Sequence, residues 1–494
     1  MNKLDLPLYP ELFEKLTDDE TAVLLTVSGG VTKDIDQLLL RCFAYAVTTK
    51  SSDIHITADK YGNHIKVRIN IRTLKGMQYY EYAGTSDARH FENKIFTLCN
   101  IPLGASKHEM VAARFSMDYP AWWANAQDLK CEGDNPYKTD IRVQYQKTGN
   151  GGFSIICRIL DQQRAPALHE LGLTAALEAE IKKTITSPSG MVVASGPTGS
   201  GKTTLLNAML KHLNDGTRSI FTIEDPIEYR QCGNGSITQI QVHGEITMAV
   251  SLKAALRSDP DVILIGEIRD SETMEIALQA AQTGHMLITT IHANGAPETF
   301  GRMIDLTLDK TKDAFRVADT LKMVLAQRLL PRYDKLPVAR EITNSESLWM
   351  KENGAFVGDS IFETTATEKI GVFAVIEAIK VDHAIKKTLR EPIFDSDKLY
   401  QLGAEQLQFE TLTQAGLRYV ENGTARISDC QTTLETNLSA GATESARTRF
   451  CREYGLTYQE VSTAIDEYHL LQEQNIQCDL FEALMNQKEK KNAA

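Results

Sequence analysis

The sequence predicts an α/β protein: a mostly parallel sheet covered by helices, preceded by a smaller α+β domain and followed by a helical tail. Three observations carry this expectation. Short apolar runs, MVVAS, SIFTIE, DVILIG and MLITTI, are separated by helical or loop-like segments after residue 190. Strands fed in this way pair in parallel under a cover of helices. Ahead of them, IHIT and HIKVRINIR alternate apolar and polar residues with the period of a strand. From about residue 380 the pattern turns helical.

The elements follow in order. Residues 1–33 read as an extension, and 34–48 have helical periodicity with Asp34 as cap. After the alternating strands, 86–101 is helical again. KTGNGG at 147–152 lies between DIRVQYQ and FSIICRIL, a hairpin signal. The small α+β domain is therefore placed at 34–160. Residues 161–185 read as a linker leading into a helix, 186–380 as the α/β core and 381–494 as the helical region. Within that region NLSAGATES marks a break, and the terminal KEKKNAA reads as frayed.

Composition narrows the function. The chain has 494 residues, enough for two to four domains. Its formal net charge of −12 argues against a general electrostatic affinity for nucleic acid. The eight cysteines are scattered with no CxxC pair, which argues against a zinc ribbon and for a cytosol-like compartment. The start, MNKLDLPLYPELFEK, has no apolar signal core, and no run approaches the length of a membrane span. Work at a membrane would go through partners.

The segment GPTGSGKTT, 196–204, fits GxxxxGK[ST] between an apolar strand and an amphipathic helix. Gly196, Gly199 and Gly201 let backbone amides curl around phosphate oxygens, and Pro197, Thr198, Ser200 and Thr204 complete the loop. Lys202 supplies a cation for the β- and γ-phosphates, and Thr203 a hydroxyl for Mg²⁺. TIEDPIEY, 222–229, crowds Glu224, Asp225 and Glu228 at the end of the SIFTIE strand. That strand end is expected beside the loop, facing metal, water and γ-phosphate. An exposed acidic turn opened by Asp225-Pro226 is the plain alternative. DPDVILIGEIRD, 259–270, places Glu267 at the end of a buried-type strand, the pattern of a Mg²⁺-supporting acid. TGHMLITTIHAN carries His285 and His292 at the two ends of a strand-like run. Their odd separation points them to opposite faces and argues against a shared metal. A structural role and contact with the γ-phosphate both stay open.

These four motifs in this order resemble the secretion-ATPase superfamily of type II secretion and type IV pili, as its Walker A, Asp box, Walker B and His box. SSDIHI at 51–56 resembles the start of the family's PAS-like N-terminal domain, and AQRLLPR and GVFAVIEAI resemble later family segments. The likeness covers roughly 34–430. It implies a RecA-like ATPase core behind a PAS-like domain, working as a homo-hexamer with ATP and Mg²⁺. It further implies a cytoplasmic ring at the inner-membrane face, under a platform protein. By position, Glu228 matches the water-activating glutamate, Glu267 the Walker B glutamate, and His285 and His292 the His-box pair. Arg142 and Arg158 match arginines that reach the nucleotide phosphates, a solvated sheet face being the alternative.

Some positions depart from the family pattern. Arg68-Ile69-Asn70-Ile71-Arg72-Thr73 stands where RxRxDG is common, and Gly152-Phe153 replaces a Gly-Glu. LLPRYDKLP stands where a tetracysteine zinc site would begin, so no zinc is expected. FETLTQAGLRYVENGTARISD, 409–429, is similar to assembly and secretion ATPases, which points to a type IVb-like pilus assembly ATPase. Pilus retraction and a Dot/Icm-type secretion or conjugation ATPase are the nearest alternatives. A DNA motor and a nucleotide-gated scaffold without turnover stand further off. The net charge speaks against the first, and the intact Glu228 and Glu267 against the second.

Overall fold

A computed structural model describes residues 35–493 except 62–63, 74–75, 83–87, 103–109, 128, 130–136, 150, 162–164, 230, 232–235, 335–336, 353–359, 368, 392–393, 408, 435–445 and 475–478. The extension 1–33, the cap Asp34 and the break at NLSAGATES lie outside the described residues. The chain forms two compact units. One is Met1–Arg164 with Glu228–Arg230, the other Ala165–Ile227 with Gln231–Ala494.

The first unit is built on six antiparallel strands: β1 (Asp53–Tyr61), β2 (His64–Thr73), β3 (Gly76–Tyr82), β4 (Met110–Tyr119), β5 (Tyr137–Lys147) and β6 (Phe153–Asp161). Their spatial order is β3-β2-β1-β6-β5-β4. Alternation decides the faces. Ile54, Ile56, Ile69, Ile71, Ile141, Val143, Ile155 and Cys157 are buried, in one core with Leu39 and Phe43 of helix Ile35–Thr48 and Phe91 and Ile95 of helix Ala88–Leu98. The KTGNGG hairpin forms where the sequence predicts it, joining β5 to β6.

The second unit holds β7 (Gly190–Ser195), β8 (Ser219–Glu224), β9 (Ser236–Gln241), β10 (Val262–Ile265), β11 (Met286–Ile291), β12 (Leu321–Tyr333), β13 (Pro337–Glu341), β14 (Ser360–Thr364) and β15 (Lys369–Lys380). Seven of these make one sheet in the order β15-β12-β7-β11-β10-β8-β9. All its pairings are parallel except β12 with β15. Helices cover both faces. Met191 and Val193 join a cluster with Leu252, Met274 and Phe300, while Val192 and Ala194 join one with Leu177, Leu206 and Leu210. Helix Ala175–Ile185, counted with the linker in the sequence reading, buries Leu177, Ile181 and Ile185 in that second cluster.

Two local expectations are corrected. The SIFTIE strand, β8, does not lie beside β7, because β11 and β10 stand between them. At about 4.8 Å per strand that is roughly 14 Å. The KEKKNA end is not frayed but forms the last turns of helix Leu480–Ala493. Lys490 and Lys491 complement the negative end of that helix. They also pair with Glu467 at 3.1 Å and Glu460 at 3.2 Å. Among the described residues no helix is long and apolar enough to cross a membrane.

Candidate functional site

The loop after β7 is shaped by glycine and tied to β12. Gly196 has φ +146°, and a Cβ there would stand 2.5 Å from the Gln327 carbonyl and 2.5 Å from Ser200 Oγ. Gly201, at φ +84°, would meet Gln327 Nε2 at 2.6 Å. Any side chain at either position is both strained and crowded. Gln327 Nε2 donates to the Ser200 carbonyl at 2.7 Å, fixing the loop's far end. Lys202 opens helix Lys202–Leu213 and turns inward, donating to the carbonyls of Gly196 at 2.7 Å and Pro197 at 2.9 Å. It is 9% exposed. Pro197, Thr198 and Gly199 form the exposed rim, and Thr203 and Thr204 are half-buried in the first helical turn.

The loop fits a polyphosphate. Ser200 Oγ and Gln327 Oε1 are buried with no hydrogen-bond partner in the structure. Buried polar atoms are normally satisfied, so a polar ligand here would complete the site. The lysine charge and the helix N-terminus both favour an anion.

The second cluster sits at the same end of the sheet. β10, wholly buried, delivers Glu267 just past its last residue. Gly266 N donates to Ile223 O at 2.8 Å, Ile268 N to Thr290 O at 3.0 Å, and Thr290 Oγ1 to Gly266 O at 2.7 Å. This ladder fixes the turn. Glu267 faces His292 Nε2 at 3.3 Å and also pairs with Arg269. His292 is thus joined to the Walker B-like acid.

His285 is not brought there. It precedes the first residue of β11, whose parallel partner on β7 is Gly190, at the end remote from the loop. The strand puts roughly 20 Å between the two histidines. His285 Nδ1 lies 3.0 Å from the Ala280 carbonyl and 3.3 Å from Thr283 Oγ1, a helix-end contact. A catalytic place for His285 is therefore withdrawn.

The carboxylates of TIEDPIEY separate. Glu224 is buried and accepts from Thr222 Oγ1 at 2.7 Å and Gln239 Nε2 at 3.2 Å, so it ties β8 to β9. Asp225 is exposed, and the peptide to Pro226 is cis. Glu228 is half-buried and groups with the first unit.

In the first unit the register resolves what spacing left open. Arg158 stands directly opposite Arg142, and Arg142 directly opposite Arg114 of β4. Direct partners share a face, so three arginines lie in one row. Asp53, opposite both Arg158 and Arg72, continues it. Arg158 Nε reaches Asp53 at 3.2 Å and Arg72 Nε reaches it at 3.6 Å. Like charges directly opposite destabilise a sheet, by roughly 0.2–1 kcal/mol per pair. The row is therefore a standing cost that an anion would relieve. Arg114 was missed from sequence. Its one signal is its place out of phase with Phe115, Met117 and Tyr119.

A further group that the sequence did not single out is Glu377 on β15, 2% exposed. Burial pushes its carboxyl up to about 7 from an ordinary 4.5; Glu298 adds to this, while the Ala296 and Leu412 amides and Arg328 oppose it. The fold thus favours the protonated form. That contribution is fully present below pH 4.5 and is lost as pH rises through about 7. The melting temperature of the native chain, relative to Glu377→Gln, should therefore fall between about pH 5 and pH 8. Parallel melting curves over that range would contradict it. Among the described residues no cluster of three or more His, Cys, Asp or Glu could hold a metal ion.

Fold and loop together define a P-loop module of the RecA-like α/β class. The chain belongs to the type II/IV secretion system protein family, whose match covers residues 130–435. It is 37% identical over 300 residues to the type II secretion system protein HxcR of Pseudomonas aeruginosa, covering 60% of this chain and 58% of that one. It is 38% identical over 223 residues to the type IV pilus assembly ATPase PilB of Myxococcus xanthus, covering 44% and 38%. The matches thus leave a large part of each relative unspanned. In fold, the chain is similar to the Legionella pneumophila ATPase DotB, with TM-score 0.59, 19% identity, and coverage of 80% of this chain and 94% of that one. It is also similar to the pilus retraction motor PilT with bound ADP, with TM-score 0.55, 23% identity, and coverage of 79% and 95%.

Proposed function

We propose that the chain hydrolyses ATP to ADP and phosphate and converts the cycle into mechanical work for a type IV pilus or a type II-like secretion machine. The observation that carries this is the glycine-shaped loop with Lys202 turned into it and two unsatisfied buried oxygens beside it. In this reading Lys202 binds the phosphates. Thr203 and Glu267 would hold Mg²⁺, partly through water, and the ion would offset charge on the phosphates. Glu228 accepts a proton from water as the new O–P bond forms and the β–γ bridging P–O bond breaks. His292 orients Glu267. By the family resemblance, Arg142 and Arg158 would supply positive charge to nucleotide phosphates.

Within the family we favour pilus assembly, working as a homo-hexamer on an inner-membrane platform at the cytoplasmic face. The motivation is the 409–429 segment and the similarity to the PilB relative. Deleting the gene should abolish surface pili, and extra, non-retracting pili would overturn this choice. Catalysis is tested by Mg²⁺-dependent phosphate release from purified protein.

The arginines give a separate expectation. Exposed charges contribute little stability. Arg142→Ala and Arg158→Ala should stay within about 1 kcal/mol of native stability yet lose ATP turnover by about 10²-fold, and Arg114→Ala by about tenfold. Phosphate release beside thermal melting checks this. Full activity in all three would leave the row a solvated sheet face.

A further inference from the structure

Ser195, Ala326 and Glu377 are direct register partners across β7, β12 and β15, so they occupy one row on one face of the sheet. The two ends of the row grip the same turn. Ser195, the residue before the phosphate loop, accepts a hydrogen bond from Thr299 Oγ1 at 2.7 Å. Glu377 Oε1 accepts from the backbone N–H of Ala296 at 2.9 Å. Both donors belong to the first turns of helix Ala296–Asp305, whose N-cap is Gly295 and has no side chain to cap with. Glu377 takes the place of that missing cap. One buried carboxyl group therefore caps the start of this helix.

The neighbours on β12 extend the connection. Arg328 Nη2 donates to the Asn294 carbonyl at 2.8 Å, one residue before the N-cap. Gln327, next to it, holds the phosphate loop through Ser200. Three residues before Gly295 stands His292, on Glu267. A buried carboxylate is costly, and a neutral isostere would spare the desolvation.

We propose that Glu377 is a positioning residue of the hydrolytic site: by capping helix Ala296–Asp305 it fixes the turn that carries His292. This rests on the ATPase reading. Glu377 touches neither nucleotide nor water in this role and acts through the turn and His292.

The test uses the full chain, with phosphate release, binding of a fluorescent ATP analogue and thermal melting measured on the native protein, Glu377→Met, which removes the acceptor at nearly equal size, and Thr299→Val. Thr299→Val breaks the other grip on the same helix with a side chain of equal size. Both variants should bind the analogue within about threefold of native affinity while kcat falls about tenfold, KM staying nearly constant. A purely structural residue would lower the melting temperature and leave kcat of the folded protein alone. If kcat of both folded variants is within twofold of native, the proposal is overturned. If Glu377→Met fails to fold, Thr299→Val decides by the same criterion. A native protein that binds the analogue but releases no phosphate would overturn the ATPase reading and this proposal with it. Native turnover with unaffected variants overturns the proposal alone.

Discussion

Replacing Lys202 by alanine is expected to lower ATP turnover by about 10³-fold, the upper end for loss of one pre-organised charge. The ammonium is fixed in the loop by the Gly196 and Pro197 carbonyls, at 2.7 and 2.9 Å. It therefore needs little reorganisation to meet developing charge on a γ-phosphate. The alanine variant loses that charge and strips both carbonyls of a donor, at roughly 1–3 kcal/mol of stability. Lys202→Arg should not restore activity. A planar guanidinium does not replace a point charge in a space this confined. Phosphate release at saturating ATP, with melting measured alongside, checks both effects. Turnover within tenfold of native would take Lys202 out of the phosphate site.

The second large effect separates the two glutamates. Glu228→Gln keeps shape but loses basicity, and turnover should fall by about 10²-fold with nucleotide affinity nearly unchanged. Glu267→Gln should act differently. Its carboxylate pairs with Arg269 and faces His292 Nε2 at 3.3 Å, so the neutral amide leaves the arginine without its counter-charge at the sheet end. The Mg²⁺ concentration for half-maximal turnover should rise about tenfold, a shift of roughly 1.4 kcal/mol. Titrating Mg²⁺ against phosphate release in both variants distinguishes them. Identical Mg²⁺ curves would refute separate roles, and near-native turnover in Glu228→Gln would remove it as the base.

How far the sequence carried depends on which physical signal each feature left in it. Apolar runs mark buried strands, so β7, β8, β10 and β11 were all found. Runs say nothing about neighbours, and β8 was placed beside the loop when two strands intervene. The hairpin at KTGNGG was found because turn glycines and alternation are local. The faces of Arg142 and Arg158 were not, because register across a turn depends on the exact loop length. Arg114 stayed hidden since its partner on β5 is remote in sequence. His285 and His292 look equivalent in TGHMLITTIHAN, and only the direction of the strand separates them. Glu377 in GVFAVIEAI reads as a lone charge in an apolar run, and the helix start it caps lies 81 residues earlier.

The strand order also has a consequence for synthesis on the ribosome. Of its sheet, β7 emerges first, carrying the phosphate loop, but its partners are β11 and β12, and the latter begins more than a hundred residues later. At ordinary elongation rates the delay is on the order of ten seconds. Meanwhile β8 and β10 emerge and can pair with each other, leaving the wholly buried-type run GMVVAS with two open edges. An apolar strand with free edges is a template for aggregation. The nascent polypeptide should therefore be a client for holdase chaperones from the moment β7 clears the exit tunnel until β12 follows it.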